Sequence, residues 1–160
     1  MDQSILLRGA NVGARLKARG ETVAVAESAT GGLISAALLA VPGASAYFIG
    51  GGVIYTLQAR RAFLQITDEA MRGMRGASEP YAQLAARTVR EQCGANWGIG
   101  ETGAAGPTGN RYGDASGHSC IAIAGPRERV ITLETGDTDR LANMNAFAAA
   151  ALDLLLECLG

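Results

Sequence analysis

The stretch Val-Ala-Val-Ala-Glu-Ser-Ala-Thr-Gly-Gly-Leu-Ile, residues 23–34, decides how the rest of the chain is interpreted. Its first part, Val23–Glu27, alternates small and β-branched side chains, which predicts a short strand. Apolar residues then recur at helical spacing, so we expect a helix over Gly31–Leu39. Free N–H groups at the start of such a helix favour a phosphate or a developing oxyanion. The alternative is that Ser28 or Thr30 only caps the helix.

The same patterns, followed outward from this stretch, predict alternating helices and strands. The predicted elements are a helix over Gln3–Arg19, strands over 47–55 and 96–102, helices over Gln58–Leu64 and from Ser78 to Cys93, strands over His118–Ala124 and Arg129–Thr135, and a last helix capped by Asp137 with a core face running from Leu141 to Leu159. This order predicts an α/β fold, a three-layer α/β/α sandwich with a five-stranded, mostly parallel sheet and one antiparallel strand. Ligands bind beyond the carboxyl ends of parallel strands, so the turns after the first three strands should converge on one pocket.

Length and composition describe one folded domain over residues 1–160. Apolar residues make up 48% and charged residues 18%, which excludes a disordered chain. The net charge of −1 gives no electrostatic reason to expect nucleic acid as a partner. The three cysteines are far apart and odd in number, which is typical of free thiols in a reducing compartment. We expect no apolar run of membrane-spanning length and no signal peptide at the N-terminus. The expectation is therefore a cytoplasmic protein without a membrane partner.

Several motifs together resemble one known family. The segment Glu27–Gly32, followed by Val41–Ser45, is similar to the E-S-C-T-G-G and P/A-G-S-S motifs of the CinA C-terminal domain family. Thr102–Pro107 matches T-G-I-A-G-P with one substitution, and Ser78–Pro80 matches S-E-P. The family includes nicotinamide-nucleotide amidohydrolases, which convert nicotinamide mononucleotide to nicotinic acid mononucleotide and ammonia. The resemblance implies a pyridine nucleotide as small-molecule partner, no cofactor, no metal, and a homo-oligomer (a dimer or higher).

The resemblance also implies roles for particular residues. Ser28 occupies the position of the family's nucleophilic serine, which would attack the carboxamide carbon and form an acyl-enzyme. Backbone N–H groups of Thr30, Gly31 and Gly32 would donate to the oxyanion or to the phosphate. The candidate catalytic residues are Ser28, Tyr55 and Arg60, and the candidate ligand-binding residues are Glu27, Thr30, Gly31, Gly32, Thr102, Gly103, Gly106 and Arg140.

One position departs from the family in a way that affects the chemistry. Tyr55–Arg60 stands where the family reads Y-S-N-E-A-K, so Arg60 replaces the lysine that acts as the base. An arginine stays protonated, so it can bind phosphate or stabilise negative charge but cannot accept the serine proton. The predicted activity is therefore a weak amidohydrolase, and the alternative is a non-catalytic member that keeps a nucleotide- or phosphate-binding pocket. The alternative for Arg60 is a solvated charge on the helix surface. Glu101, at the end of an apolar strand, either forms a salt bridge with Arg60 or has a catalytic role.

Two further residues have alternative interpretations. His118 is the single histidine of the chain and starts a strand near the expected pocket, so it is either a substitute base or an ordinary hydrogen-bonding residue. The family's C-terminal motif reads G-D-R-x-x-V-R, and Thr138 and Ala142 replace its two arginines here. Arg140 lies within one turn of both positions. It either stands in for those arginines or is a surface charge.

Overall fold

A computed structural model describes residues 1–160, with five helices and five strands. The elements are α1 (Gln3–Arg19), β1 (Val23–Glu27), α2 (Leu33–Leu39), β2 (Phe48–Val53), α3 (Leu57–Ala59), α4 (Glu79–Cys93), β3 (Trp97–Ala104), β4 (His118–Ala124), β5 (Arg129–Glu134) and α5 (Arg140–Leu159). α3 continues directly into one π-helical turn, Arg60–Leu64. The bounds of α1, β1 and β4 agree with those predicted from the sequence.

The two helix starts that border the candidate site differ from the prediction. α2 begins at Leu33 because Gly31 and Gly32 both have positive φ angles, of 63° and 101°, which no α-helix accommodates. α5 begins after Asp139, whose carboxylate accepts a hydrogen bond from the N–H of Ala142 at 2.9 Å, so the predicted cap at Asp137 is wrong. The predicted core face also starts too early, because Leu141 is 63% exposed.

The five strands form one mixed sheet in the order β2-β1-β3-β4-β5. β1 pairs in parallel with β2 and β3, whereas the pairs β3–β4 and β4–β5 are antiparallel. β4 alone runs against the other four strands, so the prediction of one antiparallel strand is confirmed, but only two of the four pairings are parallel and the sheet is mixed rather than mostly parallel. The reason is that the loop between β3 and β4 contains no helix, so the chain returns beside the strand that it has just left.

Helices cover both faces of the sheet. On one face α1, α2 and α5 bury a core with the side chains of Val25, Ile99 and Ile121. On the other face α4 packs against small residues of the strands, including Ala24, Ala26 and Ala122. Gly98 and Gly100 let α4 approach β3 closely, because a Cβ atom at either position would collide with a carbonyl oxygen of α4.

α5 is, by length and composition alone, long and apolar enough to cross a membrane. This differs from the expectation that no apolar run of the chain reaches that length. In the structure its apolar face packs into the core, where Phe147, Leu152 and Leu155 are fully buried. Core helices of globular proteins pass the same test, so the length of α5 is weak evidence for a membrane.

Candidate active site

A cavity of about 830 Å³ lies beyond the carboxyl ends of the three parallel strands. The turn after β1, the segment after β2 and the end of β3 all contribute to its wall. Five residues singled out in the sequence line it: Ser28, Tyr55, Arg60, Thr102 and Gly103. The topology therefore brings together side chains that are up to 75 positions apart in the chain.

Ser28 follows the last residue of β1 and is half-buried on the cavity wall. Its backbone N–H donates to Oε2 of Glu101 at 2.9 Å. Its hydroxyl makes no hydrogen bond within the protein and faces a cavity. The geometry thus leaves the Ser28 hydroxyl available to a ligand, as a nucleophile or a hydrogen-bonding group requires.

Glu27, the residue before Ser28, has no exposed surface. Its Oε1 accepts from the N–H groups of Gly32 at 2.8 Å and Ile34 at 3.2 Å, and from the Thr30 hydroxyl at 2.8 Å. Its Oε2 accepts from the N–H and the hydroxyl of Ser35, at 2.9 and 2.7 Å. Glu27 therefore caps the start of α2 from inside the protein, and neither Ser28 nor Thr30 is the helix cap.

The backbone donors expected to bind an anion are already occupied. The N–H of Thr30 donates to Glu101 Oε2 at 3.1 Å, and the N–H of Gly31 donates to the carbonyl of Ser28 at 3.1 Å. The N–H of Gly32 donates to the buried carboxylate that precedes the serine. The prediction of an open anion site at this helix start is therefore wrong, because two buried glutamates take the place of the anion.

Glu101 lies on β3 and is only 2% exposed. Besides the two backbone donors, its Oε2 lies 3.0 Å from Oγ1 of Thr30, and its Oε1 lies 2.9 Å from Oγ of Ser119. Burial raises the pKa of Glu101, against the opposing effect of its hydrogen bonds to Ser28, Thr30 and Ser119. No cation pairs with this carboxyl group, so the expected salt bridge to Arg60 is wrong.

Arg60 is 6% exposed at the end of α3, so the interpretation as a solvated helix charge is also wrong. Its Nη2 donates to Oδ1 of Asp68 at 2.6 Å, and its Nε has no partner in the protein. The neighbouring Arg61 donates to the other oxygen of Asp68, also at 2.6 Å. The hydrogen bond from Arg61 and the charges of both arginines lower the pKa of Asp68.

The cavity wall carries more positive than negative charge. Its arginines are Arg60, Arg61, Arg75 and Arg111, and its single carboxylate is Asp68. Arg75 also pairs with Asp114 at 2.7 Å, just outside the wall. Tyr112 lies between two of these guanidinium groups, with Arg75 and Arg111 each 5.1 Å from the centre of its ring. Such a wall suits an anionic ligand with a flat group that can stack.

A second cavity of about 220 Å³ adjoins the first and shares Tyr55, Gly103 and Asn110 with it. Gly106 lines this smaller cavity and not the larger one. Arg140 donates from Nη1 to the carbonyl of Gly106 at 2.6 Å and from Nη2 to the hydroxyl of Tyr55 at 3.3 Å. Arg140 is therefore more than a surface charge, since it links α5 to the loop after β3 and to Tyr55.

Thr102 fixes the segment that precedes α4. Its hydroxyl accepts a hydrogen bond from the N–H of Ala77 at 3.2 Å, and both residues line the larger cavity. At Gly103 a Cβ atom would collide with the carbonyl oxygen of His118 on the paired strand. These residues shape the cavity through their backbone contacts.

His118 is 4% exposed and lines neither cavity. Its Nδ1 contacts Glu134, and its Nε2 lies 2.8 Å from the carbonyl of Ala77. The carbonyl of Ala77 can only accept, so Nε2 is the donor in that contact. Burial lowers the pKa of His118. The hydrogen bonds to Glu134 and Ala77 and the charges of Glu134 and Asp114 raise it by more, so the net shift is upward. His118 is a hydrogen-bonding residue, and its geometry does not suit a substitute base.

Three further residues line the cavity without a signal in the sequence: Asp68, Arg75 and Tyr112. The partner residues Arg60 and Asp68 are eight positions apart and meet across an irregular turn, so no helical or strand spacing signals the pair. No group of three or more His, Cys, Asp or Glu side chains lies together as metal ligands would.

Comparison with known proteins places this geometry in a family. The model of the CinA C-terminal domain matches residues 8–159. A CinA-like protein of Anaeromyxobacter sp. (strain K) is 42% identical over 141 residues, which cover 87% of this chain and 35% of that protein. A CinA-like protein of Myxococcus xanthus is 39% identical over 131 residues, 79% of this chain and 31% of that one. The chain thus spans about a third of the length of these curated relatives.

Solved structures agree with this result. A competence-damaged protein (CinA) superfamily protein from Klebsiella pneumoniae superposes with a TM-score of 0.90 at 28% identity, over 97% of both chains. A competence/damage inducible protein from Agrobacterium tumefaciens gives a TM-score of 0.90 at 28% identity, over 98% of this chain and 96% of that one. The match to the family model over nearly the whole sequence is decisive, and the chain belongs to the CinA C-terminal domain family.

Proposed function

We propose that the larger cavity binds a pyridine mononucleotide and that the protein hydrolyses the carboxamide of nicotinamide mononucleotide slowly. The observation that carries this proposal is the position of Ser28, whose unbonded hydroxyl shares a cavity wall with Arg60. The volume of about 830 Å³ is ample for a mononucleotide. The arginine-rich wall favours its phosphate.

In the proposed reaction, Oγ of Ser28 attacks the carboxamide carbon and its proton passes to the departing nitrogen, which leaves as ammonia. Water then cleaves the acyl-enzyme, gives nicotinic acid mononucleotide and returns a proton to Ser28. The first step needs a general base, a group that accepts the serine proton and then releases it to the departing nitrogen. Arg60 cannot do so because it stays protonated, and Asp68 is held by two arginines. The slow rate follows from this lack of a base.

A second candidate function is nucleotide binding without hydrolysis. The ion pair between Arg60 and Asp68 favours it. In the resembling enzymes a catalytic base occupies the position of Arg60, and here that position makes a structural ion pair instead. Both functions share the same ligand and cavity, and they differ in whether ammonia is released.

Calorimetric titration with nicotinamide mononucleotide and an ammonia-release assay test the proposal together. We expect measurable binding and slow ammonia release that Ser28→Ala abolishes. Binding without any ammonia release would favour the second candidate. Absence of binding would contradict both.

We also propose that the protein is a cytoplasmic homo-oligomer without a nucleic-acid or membrane partner. Light scattering of the purified protein tests the oligomeric state, and a mass equal to that of one chain would contradict it.

A further inference from the structure

Glu27 and Glu101 are two buried carboxyl groups that contact the same hydroxyl group, that of Thr30. Oγ of Ser35 and Oγ1 of Thr30 lie 2.7 and 2.8 Å from Glu27. Oγ of Ser119 and the same Thr30 oxygen lie 2.9 and 3.0 Å from Glu101. These are four contacts, and the three hydroxyl groups carry one proton each. The Thr30 hydroxyl has one proton for two carboxyl groups, and two negative charges on either side of it would lie in a buried site where no cation pairs with either, so one of the two carboxyl groups is protonated.

The surroundings of the two carboxyl groups indicate which one is protonated. Glu27 accepts from three backbone N–H groups at the start of α2, and these donors stabilise a negative charge. Glu101 accepts from only two backbone N–H groups, and burial raises its pKa. The negative charge therefore belongs on Glu27 and the proton on Glu101.

We propose that Glu101 is a neutral carboxylic acid at neutral pH and is the positioning residue for Ser28. Its Oε2 accepts from the N–H groups of Ser28 and Thr30, and its proton lies on Oε1, which donates to Oγ of Ser119 while the Ser119 hydroxyl faces the carbonyl of Thr102. The Thr30 hydroxyl in turn donates to Glu27. Positioning of the ligand-contacting serine rests on the proposed function, whereas the protonation state of Glu101 does not.

Loss of the Glu101 proton would disturb the turn that carries Ser28. Two negative charges, on Glu101 and Glu27, would then lie on either side of the single Thr30 hydroxyl, in a site without a compensating cation. Tyr81 of α4 is the other titratable group that acts on Glu101, and burial raises its pKa, so it is uncharged in the same range. Repulsion between the glutamates would move the turn after β1, so ligand affinity should fall where Glu101 ionises.

Carbon-13 NMR of the side-chain carboxyl groups tests the protonation state in the wild-type protein, without a ligand. We expect the carboxyl carbon of Glu101 to keep the chemical shift of a protonated acid at neutral pH. An ordinary glutamate, with a pKa of about 4.3, is fully ionised there. We also expect the amide signals of Ser28 and Thr30 to move in the pH range where Glu101 finally ionises, because both amides donate to it.

Three variants test the positioning role through the affinity for nicotinamide mononucleotide as a function of pH. Glu101→Gln keeps a neutral side chain of the same shape, so we expect affinity within about twofold of wild type and no pH-dependent loss. Glu101→Ala leaves the amides of Ser28 and Thr30 without an acceptor, so affinity should fall by about tenfold. Glu69→Gln, at an exposed site, is the matched control and should keep the wild-type pH profile.

Each outcome decides for or against the proposal. An ionised Glu101 at neutral pH overturns it, and so does a Glu101→Gln variant that fails to fold or binds as weakly as Glu101→Ala. Should the wild-type protein bind no nicotinamide mononucleotide, the proposed function fails by itself. The amide signals of Ser28 and Thr30 then test the positioning role. Their chemical shifts should follow the titration of Glu101 in the wild-type protein and stay constant in Glu101→Gln, and wild-type signals that do not follow it would contradict the role.

Discussion

The guanidinium of Arg60 donates to Oδ1 of Asp68 at 2.6 Å, on the wall of the cavity to which Ser28 opens. This ion pair occupies the position where the resembling amidohydrolases carry their basic lysine. It explains how the chain keeps a positive charge in the cavity without keeping a proton acceptor. Under the proposed function, nucleotide binding and the chemical step can therefore be separated by substitution.

Arg60→Lys should raise ammonia release from nicotinamide mononucleotide, because a lysine can lose its proton and an arginine cannot. Loss of a general base typically costs about 10²- to 10⁴-fold, and we expect only about tenfold of this to return. The gain is limited because Asp68 stabilises the charged form of a lysine at this position. Arg87→Lys, at an exposed arginine that lines neither cavity, is the control and should leave turnover unchanged. Wild-type turnover that survives Arg60→Ala but disappears in His118→Ala would instead identify His118 as the base.

Ser28→Ala should remove ammonia release and leave nucleotide affinity within about threefold of wild type, as expected when only a reacting group is lost. The substitution keeps the backbone N–H that donates to Glu101 and removes a hydroxyl with no partner in the protein. Ser45→Ala, at an exposed position, controls for unrelated effects. Turnover that persists in Ser28→Ala, measured in the same ammonia assay, would contradict the assignment of the nucleophile.

The stability of the protein should depend on pH through His118. Its pKa is raised in the folded state by Glu134, Ala77 and Asp114, so the folded protein holds a proton more tightly than the unfolded chain. The stabilisation is complete below the unfolded pKa of about 6.5 and is lost as the pH rises through the higher folded value. His118→Gln should remove this dependence. Urea unfolding of both proteins across this pH range measures it, and parallel curves would contradict the assignment.

Gly100→Ala should destabilise the fold severely. A Cβ atom at Gly100 would collide with the carbonyl oxygen of Ala82, in the part of α4 that packs on β3. Overpacking of this kind costs about 3 kcal/mol in the free energy of unfolding. Gly50→Ala is the matched control in a strand, because a Cβ atom there meets no neighbour. Equal unfolding free energies for the two variants would show that α4 moves away from the sheet at little cost.

Local patterns in the sequence predicted most of the elements. The alternating residues of β1, the helical spacing of α1 and the hydroxyl of Ser78, which accepts from the N–H of Tyr81, are all recognisable within a few positions. The turn after β1 also predicted a residue, Ser28, that opens to the cavity. These features depend on neighbouring residues, so the sequence by itself determined them. The direction of the β3–β4 pairing did not follow, because it depends on the path of a loop.

Only the tertiary structure decided what the charged residues do. Glu101 lies 73 positions from Ser28, and Arg60 turned out to pair with Asp68 across an irregular turn. The donors at the start of α2 were open to an anion in the sequence interpretation, yet two buried glutamates hold them. Such contacts join residues that no strand or helix spacing relates. A charge buried away from water is stable only beside donors or an opposite charge, and which of these it meets depends on how the sheet and helices pack.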